Sequence, residues 1–330
     1  MGSHTILYIR RVKVLDTMYL KRLVIALGGN AILQYDERGT NEDQIANLKR
    51  TSRNLAPLIA SWYQIVITHG NGPQVGNILI QNDSAKKKVP AMPLDVCGAE
   101  SQGQIGYLLN QALSNQMKKL GKSIEICTLM TQVLVDPSDK AFMTKTKPIG
   151  PWLDAQAMMD ARKEGDNWIE DPKKGWRKTV ASPKPVKILN ARGIEYLLAN
   201  GSVVIACGGG GVPVIENDQG ELCGIEAVID KDIASACLAS EIRAHILLFL
   251  TDVSCLFLNF GQENQKNISQ ITATELRKLF EQKIFAAGSI GPKVEAALQF
   301  VEQGGEKAII ARLDEVEDAL KGKTGTTVIQ

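Results

Sequence analysis

L-V-I-A-L-G-G-N, Leu23 to Asn30, is an unbroken apolar run closed by a double glycine and an asparagine. Polar residues do not alternate within it, so it reads as a strand buried on both faces, as in a parallel sheet covered on two sides. The glycines allow a tight turn whose N–H groups face outward, where a side chain would otherwise block an anion. The same unit recurs in Q-I-V-I-T-H-G-N-G-P-Q-V-G (Gln64 to Gly76) and in S-V-V-I-A-C-G-G-G-G-V-P (Ser202 to Pro213). Strand, glycine turn and helix in repeated order predict an α/β fold with a mainly parallel, doubly wound sheet and right-handed crossovers. Ligands of such sheets bind beyond the carboxyl ends of the strands, where these turns lie.

Outward from these turns, the spacing predicts helices over 41–61, 74–82, 101–120, 191–200, 232–240, 274–282 and 292–303. Strands are expected at 64–68, 202–206, 246–251 and 308–310, with 124–135 read as one strand and 214–228 as hairpin-like. T-T-V-I near the C-terminus closes the chain as a further extended segment. Residues 136–185 break the pattern: they are rich in Lys, Pro, Trp and Gly and read as an inserted flap with short elements of its own.

The chain has 330 residues, 44% of them hydrophobic and 22% charged, as in an ordinary globular protein. Its 38 basic and 36 acidic residues are well mixed, giving a net charge of +2 that argues against nucleic acid or membrane as the main partner. No apolar run approaches the roughly 20 residues that span a bilayer. The six cysteines form no C-x-x-C pair, and several sit in apolar runs, so buried free thiols in a reducing, cytoplasmic setting are expected. Three histidines without H-E-x-x-H assign no metal ligands. Residues 1–20 read as an N-terminal extension: Met-Gly-Ser-His resembles a leftover of recombinant expression, and Met18 is a candidate natural start.

V-I-D-K-D, Val228 to Asp232, sets a lysine between two carboxylates after an apolar approach. Its plain reading is an N-cap aspartate beside a solvated lysine; the other is a lysine entering a cleft, with Asp232 fixing it by ion pairing. Lys147 (T-K-P-I-G) and Lys293 (G-S-I-G-P-K) sit beside prolines that restrict their stems. Singly each reads as a surface lysine, and only together with the glycine turns do they suit phosphate chemistry between anions. No G-x-x-x-x-G-K-[ST] and no G-x-G-x-x-G after a strand is present, which excludes a Walker A loop and disfavours a nicotinamide fold. His69 is read as structural, with a general-base role the alternative.

Motifs along nearly the whole chain from Lys21 resemble carbamate kinases of the amino-acid kinase family. They include V-I-A-L-G-G-N-A-I-L, T-H-G-N-G-P-Q-V-G-N, M-P-L-D-V-C-G-A-E-S-Q-G-Q-I-G-Y, T-K-P-I-G-P, G-W-R-K, C-G-G-G-G-V-P-V-I, E-A-V-I-D-K-D and A-A-G-S-I-G-P-K-V-E-A-A-L. The resemblance implies an open α/β/α sandwich, a homodimer and a protruding subdomain matching 136–185. It further implies a carbamate lobe over 21–200 and a nucleotide lobe over 201–330. Lys147, Lys231 and Lys293 would handle the transferred phosphoryl group, organised by Asp232. Gly28, Gly29 and Asn30 would contact phosphate oxygens, and Gly70, Asn71 and Gly72 the carbamate or carbamoyl end. Gly209, Gly210, Thr251, Asp252, Val253, Ile290 and Pro292 would border the ATP or ADP.

The implied reaction is reversible transfer between ATP and carbamate, with Mg²⁺ arriving on the nucleotide, in arginine or purine breakdown. The chain departs from the family pattern at M-T-K-T-K-P-I-G, which adds Lys145 beside the site, at V-A-S-P-K-P and at N-F-G (Asn259 to Gly261). A kinase for a larger carboxylate such as N-acetylglutamate would need an arginine or a wider pocket near Gly70, where little basic character follows. A non-catalytic anion sensor would have no need of all three lysines.

Overall fold

The computed structural model describes residues 21–330 apart from 35, 36, 62, 163, 164, 173, 174 and 286–289. The extension 1–20 and the A-A-G-S half of the last motif therefore lie outside the described residues. In chain order the first elements are β1 (Arg22–Leu27), α1 (Asn41–Ile59), β2 (Gln64–His69), α2 (Gly72–Ala85), α3 (Leu94–Lys119), β3 (Ile126–Thr128) and β4 (Gln132–Val135). Then come β5 (Lys147–Leu153), α4 (Ala155–Ala161), β6 (Asn167–Asp171), β7 (Gly175–Val180), β8 (Pro185–Ile188), α5 (Ala191–Ala199) and β9 (Val203–Ile205). The hairpin β10 (Val212–Glu216) and β11 (Leu222–Gly224) precedes α6 (Lys231–Glu241) and β12 (Ile246–Thr251). The rest is β13 (Leu256–Leu258), β14 (Lys266–Ile268), β15 (Gln270–Thr272), α7 (Ala273–Glu281), α8 (Ile290–Glu302), β16 (Lys307–Arg312), α9 (Val316–Leu320) and β17 (Thr326–Ile329).

The main sheet runs β15-β17-β16-β12-β1-β2-β9-β3, parallel throughout except where β17 meets β16. The opening run explains its centre. Val24 and Ala26 point to one face, packing with Val66, Phe249 and helices α6 and α8. Leu23, Ile25 and Leu27 point to the other, against α1 and α3. A strand with period 2 between two helical layers has no polar face to show, hence the continuous apolar sequence. Strands β12, β1, β2 and β9 are neighbours, so the turns after them stand side by side along one edge.

Two of the expected elements change. The single strand expected over 124–135 is two, in different sheets: β3 ends the main sheet, whereas β4 belongs to the sheet β11-β10-β4-β8. The corner between them is held because Thr131 N donates to Gln102 Oε1 (2.9 Å) and Thr131 O accepts from Val212 N (2.8 Å). Helix α3 starts at Leu94, behind Pro93, seven residues before the expected Ser101. Strand β9, from beyond residue 200, lies between β2 and β3, so the sheet is continuous across that boundary.

Within 136–185 the strands β5-β7-β6 form an antiparallel sheet with α4 beside it. A small core joins this unit to the body: Ile149 and Val180 pack with Val75, Ile78, Leu94, Cys97 and Val228. Backbone meets backbone where Gly150 of β5, at φ 73, crosses Gly76 of α2.

Candidate active site

The aligned strand ends open into a cleft of about 1210 Å³ between the sheet edge and the β5-β7-β6 unit. Gly28 follows β1 so closely against β12 that a Cβ there would stand 2.8 Å from Leu250 O. Among the described residues nothing lies within 4 Å of a Cβ position on Gly29, and Asn30 Nδ2 donates to Asp252 Oδ2 (3.1 Å). In the second turn, buried Asn71 precedes α2 and donates from Nδ2 to Ser101 Oγ (2.8 Å). Gly72 and Pro73 begin α2, whose N-terminus therefore opens toward the cleft. The third turn packs behind the second. A Cβ on Gly208 would meet the His69 ring at 2.6 Å, and one on Gly209 (φ 64) the Asn71 amide at 2.1 Å.

Of the lysines that line the cleft, the three expected at the site come from three separate elements. Lys231 opens α6, and its Nζ lies 2.5 Å from Asp232 Oδ1. Lys293 of α8, only 3% exposed, lies 3.2 Å from Asp232 Oδ2. Lys147, first residue of β5, lies 2.5 Å from Asp230 Oδ2. Asp232 thus spaces the buried Lys293 and the half-buried Lys231 with one carboxylate. Burial pulls the Lys231 ammonium below the ordinary lysine range; Asp232 opposes this and Lys293 adds to it. Burial also pushes the Asp230 carboxyl up, but Lys147 and then Lys231 outweigh it and leave it below the ordinary carboxylate range. Concentrated, desolvated positive charge of this kind stabilises charge on a migrating phosphoryl group.

Of the residues expected at the site, Gly28, Gly29, Asn30, Gly70, Asn71, Gly72, Lys147, Gly209, Lys231, Asp232, Thr251, Asp252, Pro292 and Lys293 border this cleft. Gly210 is packed instead against Ile229, where a Cβ would meet the carbonyl oxygen at 2.4 Å. Val253 and Ile290 also lie off the cleft wall. Lys145 reaches the Gly165 carbonyl (3.4 Å) and does not line the cleft, so proximity in sequence to Lys147 does not bring it to the site. His69 is buried, its Nδ1 3.0 Å from Gly70 O, and burial pushes its pKa down to about 4. A histidine enclosed in this way fills space behind the turn.

Asp230 and Arg177, to which sequence reasoning assigns no role at the site, stand out among the other residues of the cleft. From sequence Asp230 reads as a helix cap, and its contact with Lys147 spans 83 residues of chain. Arg177 of β7, within the quoted G-W-R-K, donates from Nε to Gly150 O (2.7 Å) and lies over the Trp152 ring at 5.6 Å. One terminal nitrogen comes within 3.9 Å of where a Gly72 Cβ would be, and burial lowers its pKa. The only sequence signal was the motif itself, because the fold alone brings Arg177 to Gly72.

An open α/β/α sandwich with glycine turns along one sheet edge and lysines converging on the same cleft suits phosphoryl transfer between anions. Residues 21–312 match the amino acid kinase family. The chain is 48% identical over 315 residues to the carbamate kinase of Thermococcus kodakarensis, covering 94% of this chain and 100% of that one. It is 49% identical over 314 residues to the carbamate kinase of Pyrococcus furiosus, covering 94% and 99%. The solved carbamate kinase of Giardia lamblia bound to AMP-PNP superposes with a TM-score of 0.87 at 40% identity, covering 94% and 99%. The chain belongs to the amino acid kinase family, on the branch formed by the carbamate kinases.

Proposed function

We propose that this chain is a phosphotransferase working between ATP and carbamate, running toward ATP from carbamoyl phosphate and ADP. The observation that carries the reading is the set Lys147, Lys231 and Lys293, spaced by Asp230 and Asp232 in one cleft with the glycine turns. A β-phosphate oxygen of ADP forms the new bond to phosphorus as the bond to the carbamoyl oxygen breaks. Carbamate leaves as an anion, so no proton has to move and no general base is needed; it then decays to ammonia and carbon dioxide. The barrier is the approach of two anions, which the lysines and N–H groups lower.

Gly70, Asn71 and Gly72 with Arg177 take the carbamoyl end, while Thr251, Asp252 and Pro292 take the nucleotide side. The AMP-PNP bound by the Giardia relative supports a nucleotide in the corresponding cleft. The carboxylates nearest the lysines are committed to them, and Asp252 accepts from Asn30 and Thr251. This donor set suits Mg²⁺ carried in on nucleotide phosphates, where it neutralises their charge. Among the described residues no helix is long and apolar enough to cross a membrane. A cytoplasmic homodimer active in arginine or purine breakdown is the setting we propose, and exposed Tyr107 and Met130 offer apolar surface for pairing.

Coupled detection of ATP from ADP and carbamoyl phosphate tests this directly; a purified protein without that activity overturns it. Arg177 is the observation that favours weighing a larger carboxylate. N-acetylglutamate phosphorylated faster than carbamate would transfer the assignment to that substrate.

A further inference from the structure

The cleft holds one carboxylate with two separate duties. Asp230 is the N-cap of α6: its Oδ1 accepts from Asp232 N (2.9 Å) and Ile233 N (3.5 Å), which fixes the side chain. Its second oxygen, Oδ2, thereby faces the β5-β7-β6 unit and receives Lys147 Nζ at 2.5 Å. Lys147 needs such a partner. Its backbone is set by pairing with Val180, but the flexible four-carbon stem beyond it has many rotamers open to it. The pair is partly enclosed, with the two side chains 30% and 20% exposed.

We propose that Asp230 is the positioning residue of Lys147: it holds the subdomain's ammonium in register with the lysines of the body, through the same helix end that carries Lys231. One rigid turn then orders all three. Asp230 caps α6, Lys231 follows it in the chain, and Asp232 spaces Lys231 from Lys293. An incoming phosphoryl group meets an ammonium already in place, and Lys147 has N–H donors left to share with it. This role rests on the phosphoryl-transfer reading for its purpose, but the clamp itself can be measured without substrate.

Asp230→Asn separates the two duties. Asparagine caps a helix as well as aspartate, yet its amide turns N–H groups toward Lys147 and cancels the ion pair. In the ligand-free variant, amide exchange at Ile149, Gly150 and Trp152 should rise by roughly fivefold or more, while exchange along α6 stays unchanged. Should α6 also loosen, Lys147→Met gives the same reading with the cap intact. Unchanged exchange in β5 for both variants overturns the clamp.

Kinetics supply the second arm. Asp230→Asn should lower kcat by roughly tenfold, more than an exposed pair and less than a lost transition-state donor. In a Lys147→Ala background the same change should cost less than about twofold, because a residue acting through Lys147 has nothing left to position. An equal loss in both backgrounds overturns the proposal. A wild-type protein that makes no ATP refutes the proposed function and leaves the exchange result standing.

Discussion

Gly76→Ala should disable catalysis from outside the cleft wall. Gly76 sits on α2 where β5 crosses it, and a Cβ there would lie 1.9 Å from the Cα and 2.2 Å from the N of Gly150. Ordinary contact begins near 3.4 Å, so the strand must retreat by about 1.5 Å, the difference between 3.4 and 1.9 Å. The obstruction is backbone, which no rotamer can relieve. Lys147 lies three residues upstream on the same strand, and the retreat carries its ammonium away from Asp230. Misplacing a positioned group by roughly 1 Å costs on the order of a hundredfold. The coupled ATP assay should show kcat down by that factor, with ADP affinity within about threefold of wild type because the residues on the nucleotide side lie on other elements. Overpacking should also cost about 1–3 kcal/mol of stability. Gly103→Ala is the control: among the described residues nothing lies within 4 Å of its Cβ position on α3, and it should stabilise by about 0.5–1 kcal/mol. A Gly76→Ala protein with kcat within about threefold of wild type would refute the claim that this crossing sets Lys147.

Lys231→Ala should leave the fold intact and lower kcat by about a hundredfold or more, since a half-buried charge beside the transferring group is lost; retention of over half the rate removes that role. Lys147→Ala should fall as far as the double variant with Lys145→Ala, because Lys145 is turned to Gly165; a further drop in the double variant would show that Lys145 does reach the site. His69 gives a pH dependence. Its folded pKa is lowered from 6.5 to about 4, so the unfolded chain binds the proton first and stability is complete above pH 6.5 and lost as pH falls toward 4. At 1.36 kcal/mol per unit this is about 3 kcal/mol, and thermal melts from pH 7 to 4.5 should show His69→Gln losing less than wild type; parallel curves would count against it.

Much of the architecture was legible from Leu23 to Asn30 and its two repeats. Continuous apolar strands ending in glycine allow one reading, and neighbouring strands bring their turns together without further information. Boundaries failed where local signals conflict. L-D-V-C-G-A-E before Ser101 carries a glycine and weak periodicity, so α3 was expected to begin late. The extended stretch 124–135 gives no local sign that β3 and β4 part at Thr131, because the corner is held by Gln102 and Val212 from elsewhere in the chain. The site divides similarly. Lys231 and Asp232 are adjacent in sequence and came as a pair, whereas Asp230 clamping Lys147 and Arg177 over Gly72 are products of tertiary structure. Gly210, Val253 and Ile290 share motifs with cleft residues but are not among the residues that line the cleft, which motif membership alone does not reveal.

The place of β9 between β2 and β3 governs how this chain can be made. As the protein emerges from a ribosome, β2 and β3 are complete long before Val203, and each then carries an unpaired edge with nothing to fill the gap. Strand β1 waits longer still for its second neighbour, β12, at Ile246. The two halves therefore cannot mature one after the other as separate units. The N-terminal portion persists as an open, apolar, adhesive sheet until most of the polypeptide has been synthesised. A chain stopped near residue 200 should yield aggregate instead of a folded lobe, and the demand on chaperones should peak in the second half of synthesis.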